Sequence, residues 1–236
     1  MPTLLLKLVA PMQSWGVQSH FTHRDTGFEP SKSGVLGLIC AALGRDRAER
    51  IDDLAALKMG VRVDRQGTVL KDYHTAKDVM RAGGGKPKET ELSDRFYLAD
   101  AAFLVGLEGE EKDRALLEDI QHHLRHPVWT LFLGRKAFPP SESVWIPHAD
   151  VEGKPDGIRE LLLRDALRTG HARLRPSGNE NMQAILVLED ESGDIVHADQ
   201  PISFKKGARQ FTVRRVKTEF CELPSASQLL TKNLKS

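Results

Sequence analysis

Between Ala10 and Gly44 the chain reads APMQSWGVQSHFTHRDTGFEPSKSGVLGLICAALG. Gln13, Trp15, His20, Phe21, His23, Arg24 and Phe28 combine flat rings, an amide and a guanidinium. These side chains can stack on unpaired nucleobases and hydrogen-bond to them. Ser31, Lys32 and Ser33 then open an apolar helix. Hydroxyls, one cation and free backbone N–H groups at a helix N-terminus suit a phosphate. Packing competes for the same residues: Trp15 and Phe21 equally suit a core edge, and Ser31 a simple N-cap.

Two later stretches carry the same chemistry. Gly134-Arg135-Lys136 lets backbone approach a polyanion while two cations neutralise it, and Lys205 to Lys217, with Arg209, Arg214 and Arg215, has no acidic residue. Solvated surface cations are the plainer explanation for each. His20 and His23, with Tyr73 and His74, are the candidates for metal-free acid–base work on a ribose 2′-hydroxyl. His122 and His126 have the spacing of a shared metal, but no further ligand set completes it, so they are read as finishing a helix. Gly83 to Lys86 imitates a phosphate loop and fails, because Pro87 follows the lysine and no strand feeds it. No cofactor or metal is expected.

At 236 residues and a formal charge of +1, the chain has length for a real core and no polycationic character. A nucleic-acid site must therefore come from local clustering. Cys40 and Cys221 lack metal or disulfide spacing, no basic-then-apolar leader precedes Leu4, and no run reaches membrane length. A cytoplasmic protein without a membrane partner is expected.

Several elements must position these groups. Thr3 to Val9 reads as a strand covered on both faces, and Val35 to Leu43 as a helix capped by Gly44. Ala48 to Lys58 has helical spacing, and Val61 to Tyr73 reads as a hairpin turning at Arg65-Gln66-Gly67. His74 to Arg95 has little to bury and reads as a mobile projection from that hairpin. Ala101 to Leu107 is a strand, Glu111 to Arg125 a helix and Val128 to Leu133 a further strand. That order predicts an α+β chain with a ferredoxin-like βαββαβ unit, the arrangement of RNA-recognition domains among others. Residues 1–140 would form this unit and 141–236 a smaller β-rich region.

Three segments together, Ala10 to Gly16, Pro30 to Leu38 and Leu133 to Pro139, with Asp72 to Thr75 and Arg209 to Phe211, carry a resemblance. In their order and separation the chain resembles the CasD subunits of type I-E CRISPR Cascade complexes, in the RAMP superfamily. The resemblance implies a non-catalytic subunit that grips the 5′ handle of the CRISPR RNA at one end of the assembly. It implies a ferredoxin-like palm and a thumb, here about residues 74–95 with Lys77, Arg81, Lys86 and Lys88. The implied partners are the CRISPR RNA, the backbone subunit CasC and the large subunit CasA, with target DNA met through the guide. Precursor cutting belongs to CasE in such systems, although relatives of another subtype cleave with a Tyr, Lys and His set. Two alternatives stay open: a metal-independent endoribonuclease, and a scaffold whose basic stretches meet acidic protein.

Overall fold

The computed structural model describes residues 1–16, 23–81, 83–146, 157–171, 174 and 183–223. His20 and Phe21 lie outside the described residues. The elements in chain order are β1 (Thr3–Val9), β2 (Met12–Gln13), β3 (His23–Arg24), α1 (Lys32–Leu43) and α2 (Asp52–Ala56). There follow β4 (Lys58–Arg65), β5 (Thr68–Val79), β6 (Lys88–Ala99), β7 (Ala102–Glu108) and α3 (Arg114–Arg125). The last are β8 (Ile158–Arg159), α4 (Leu163–Thr169), β9 (Gln183–Glu189), β10 (Ile195–Ser203) and β11 (Gln210–Glu222).

The chain is mixed α/β around an antiparallel sheet in the order β10-β11-β9-β4-β7-β1-β8. The apolar run of β1 is explained by cover on both faces. Leu4, Leu6 and Leu8 join Val35, Ile39, Leu117 and Ile120 of α1 and α3, while Leu5 and Val9 join Leu163, Ala166 and Leu167 of α4. α1 begins at Ser31, whose hydroxyl accepts from the Gly34 amide, and ends at Gly44 in the left-handed region with φ 72°. β9 pairs with β4 in register, Gly60↔Leu188 to Val63↔Ile185, so the strands after residue 140 extend the same sheet.

The structure departs from the expected elements at three points. Val128 to Leu133 is not a strand: the Val128 and Trp129 amides donate to Ala42 and Ala41 at the end of α1, at 2.9 and 3.1 Å. The segment's apolar side chains made it look like a strand, but its backbone satisfies helix carbonyls that would otherwise be orphaned. The position beside β1 is taken by β8, paired Thr3↔Arg159 and Leu4↔Ile158. α4, over Leu163–Thr169, has no counterpart among the expected elements. Finally, β4 and β5 do not pair with each other: β4 lies between β7 and β9, and β5 pairs with β6.

β5 and β6 run antiparallel from Thr68↔Ala99 to Val79↔Lys88, forming a two-stranded ribbon. Twelve residues per strand extend about 40 Å at 3.3 Å per residue. β2 joins β6 at Leu98 and Ala99, and β3 joins it at Asp94 and Arg95, so both sit at the ribbon's base. The projection expected at 74–95 therefore has a regular ladder in place of a loop. Its turn carries Gly84 and Gly85 at positive φ, with nothing within 4 Å of an added Cβ.

Candidate nucleic-acid interface

Arg24 on β3 stands in register beside Arg95 on β6, which faces Asp72 across the ribbon. Side chains opposite one another in a ladder share a face, so the two guanidinia are neighbours. Arg135 completes the group from the turn after Leu133. Its Nη2 donates to the Phe96 carbonyl at 2.8 Å and the Arg24 carbonyl at 3.5 Å, and its guanidinium lies 5.6 Å from the Phe138 ring centroid. The turn itself is held by Leu133 N–H donating to Phe138 at 2.8 Å and Ser14 N–H donating to Leu133 at 3.2 Å.

Gly134 is what allows that docking. It has φ 90°, and a Cβ there would lie 1.7 Å from the Ser14 carbonyl oxygen. Replacing Gly134 with alanine should lower stability by more than about 1 kcal/mol, because the native backbone is closed to a side chain. Thermal melting of the Gly134→Ala variant checks this; an unchanged Tm would mean that the turn can lift from Ser14 at no cost.

Electrostatics mark the cluster as incomplete. Burial, then the Arg95 and Arg24 charges, push the Arg135 pKa down, against a weaker opposing pull from Asp72 and Asp25. Burial and Arg24 lower that of Arg95 in the same way. The Arg24 charge disfavours the charged forms of Arg95 and Arg135, and an anion bound between them would relieve that. Lys136 is exposed next to them. Arg95 was missed in the sequence because it stands alone there, and only pairing with β3 reveals its neighbours.

The other expected contacts are placed differently. Gln13 and Trp15 are buried: the Gln13 amide donates to Leu8 and Ala101 carbonyls at 3.1 and 2.9 Å and accepts from the Trp15 indole at 3.2 Å. They latch the first loop to the core, as the packing alternative for Trp15 anticipated. Ser31 acts as N-cap, and Ser33 is half-buried in the first turn of α1. The expected phosphate position there already holds an anion. Asp199 accepts from the Lys32 amide at 2.7 Å and from Arg214 Nε and Nη2 at 2.7 and 2.9 Å. The Lys32 ammonium donates to both Glu189 oxygens at 3.1 and 3.0 Å. Lys32 and Arg214 are buried, and the protein's own carboxylates neutralise them. Burial lowers the Lys32 pKa, and Glu189 only partly restores it. Arg209 and Arg215 are exposed at the β10–β11 edge of the large sheet, whereas Arg24 and Arg95 belong to the small one.

The acid–base candidates do not converge as a set. Tyr73 and His74 are consecutive on β5 and so point to opposite faces of the ribbon. Tyr73 is 63% exposed beside Asp94, and His23 packs on Phe96 on that same face, with centroids 5.2 Å apart. His74 lies on the other face, its Nδ1 3.5 Å from Asp72. On the ribbon Lys77, Arg81, Lys86 and Lys88 are exposed, and Lys88 pairs with Glu91. The His122 and His126 rings are 5.3 Å apart at the end of α3. Among the described residues no group of three or more His, Cys, Asp or Glu is gathered to hold a metal, and no helix is long and apolar enough to cross a membrane. Cys40 and Cys221 are free and buried, and burial pushes the Cys40 thiol up to about 11.

Comparison with known proteins gives three results. The family described as CRISPR-associated protein (Cas_Cas5) matches residues 3–217. The CRISPR system Cascade subunit CasD of Escherichia coli strain K12 is 33% identical over 157 residues, covering 61% of this chain and 69% of that protein. Two solved structures superpose on nearly the whole chain. One is described as a Cas protein, with TM-score 0.74, 40% identity and coverage of 95% of this chain and 98% of the other. The second is a chain of a CRISPR RNA-guided surveillance complex, with TM-score 0.75, 31% identity and coverage of 99% and 100%.

Proposed function

Because the chain belongs to the CRISPR-associated Cas5 family, we propose that this Cascade subunit grips the 5′ handle of the CRISPR RNA through Arg24, Arg95, Arg135 and Lys136. The observation that carries the reading is the group of guanidinia at the ribbon base, held by β3, β6 and the 134–138 turn and only partly neutralised. Arg209 and Arg215 form a second basic stretch for the same strand. Phosphate contacts of this kind fix register and affinity and carry no sequence information.

In this reading residues 1–140 are a palm with the ribbon as its thumb, and within 141–236, the smaller β-rich region, β8 to β11 extend the palm sheet. The order β8-β1-β7-β4, with α1 after β1 and α3 after β7, supports a ferredoxin-like palm. The ribbon, with Lys77, Arg81, Lys86 and Lys88, reaches the neighbouring backbone subunit CasC, and the large subunit CasA lies beyond. The protein works in the cytoplasm, meets target DNA through the guide and cuts nothing.

The coexpressed complex tests the reading. Ultraviolet crosslinking followed by peptide mapping should join handle nucleotides to peptides around Arg24, Arg95 and Arg135; crosslinks confined to other subunits would sink it. The purified chain in EDTA should leave repeat RNA intact on a denaturing gel. Cleavage abolished by Tyr73→Phe or His74→Ala would instead favour the endoribonuclease alternative, which the opposed faces of those two side chains argue against.

A further inference from the structure

The face of the large sheet that carries α1 is not covered to its end. Past α1, Val63 of β4, Ile185 and Val187 of β9, and Thr218 of β11 form the floor of a trough of about 150 Å³. Phe28 closes one side, and Gln66, Ile195 and the His197–Glu29 pair, 3.8 Å apart, supply the rest of the wall. Phe220 stands in register with Ile185 at the margin. Phe28 is 58% exposed and Phe220 73%, so two aromatic rings border an apolar floor without being packed into it.

We propose that this trough receives one unpaired nucleobase of the strand held by the arginine cluster; the proposal rests on the handle-binding reading above. The volume is below the roughly 300–1,000 Å³ of pockets for drug-sized ligands, and fits a single planar ring system. Exposed aromatic rings over a flat floor stack bases of any identity. The Gln66 amide and the His197–Glu29 pair add donors and acceptors at the rim, which is how a stacked base is told from its neighbours.

Geometry ties the trough to the cations. Arg24 and Phe28 are four positions apart, so the two Cα atoms lie within about 14 Å even at full extension. The intervening loop is anchored, with the Trp15 amide donating to the Thr26 hydroxyl at 2.9 Å and the Gly27 amide donating to the Trp15 carbonyl at 3.1 Å. Phe28 is therefore presented on a fixed support, close enough for a strand whose phosphates sit on Arg24 to turn one base onto the sheet.

The test measures binding of the purified chain to a series of short single-stranded handle RNAs, each with one base replaced by an abasic ribose. One abasic position should weaken binding to the natural protein about tenfold. Phe28→Ala should lose about the same on intact RNA and become indifferent to that abasic position. Gln66→Ala should alter which base is preferred there. Both residues lie outside the core, and circular dichroism confirms that the variants fold. Intact-RNA affinity unchanged by Phe28→Ala, or an abasic penalty that persists in it, would overturn the proposal. Failure of the natural protein to bind any of these RNAs would remove the handle-binding reading, and this one with it.

Discussion

Replacing Arg24 and Arg95 together with alanine should lower the affinity of the purified chain for handle RNA by at least roughly a hundredfold. Hydrogen bonds to charged groups contribute about 1.5–3 kcal/mol each, and two are removed. The loss should be uniform across base sequences, since phosphate contacts do not read bases. The salt dependence should flatten too, by about 1.4 in the slope of log affinity against log salt, at roughly 0.7 per charge for a single strand. Thermal stability should hold, because Arg24 is exposed and relief of the Arg24–Arg95 repulsion offsets the lost contacts. Titrations at several salt concentrations decide the matter. A double variant that binds as the natural protein does, with the same slope, would reduce these residues to solvated surface.

Asp199→Ala should destabilise the chain by about 3–5 kcal/mol, the usual result of removing one partner from a buried ionic group. At this size that corresponds to a fall in Tm of roughly 6–20 °C. The carboxylate lies between the Lys32 amide and the Arg214 guanidinium, and without it Arg214 keeps, among the described residues, only the more distant Glu189 at 3.7 Å. Burial pushes the Asp199 pKa up, but the Arg214 hydrogen bonds and charge, with the Lys32 amide, hold it below its ordinary value. Its contribution is therefore present above about pH 4, the unfolded value, and lost as pH falls through the lower folded one. Acid melting curves check the sign: the natural protein should lose more stability than the variant on passing from pH 5 to pH 3. Equal losses would place the acid-sensitive group elsewhere.

The sequence made the covered strands and amphipathic helices legible. TLLLKLV became β1, AAFLVGL became β7, and the Leu117, Ile120 and Leu124 face became α3, because burial writes its period into a single segment. The ribbon was harder to read. With β5 largely exposed and β6 only half-buried, the two strands show no clean apolar alternation, and their ladder is specified by pairing partners about thirty positions apart at the base. Val128 to Leu133 misled in the other direction, since an apolar run that caps α1 looks like a buried strand. The surroundings of the candidate site residues were legible or hidden by the same logic. Arg135 could be picked out because Gly134 and Lys136 flank it. Lys32 was misplaced because its neutralising carboxylates lie 157 and 167 positions away. Arg95 gained meaning only when β3 was laid beside it.

The pairing of β4 with β9 bears on how the chain emerges from the ribosome. β1, α1, β4 and β7 are synthesised long before β9, β10 and β11, so during translation β4 waits as an open edge and Lys32 as an unmatched cation. Long-range pairings of this kind close late and leave apolar surface open to misassociation. A message cut short before β9 would yield a product fit for proteolysis and unfit for assembly, so that intact polypeptides alone would be admitted to the complex.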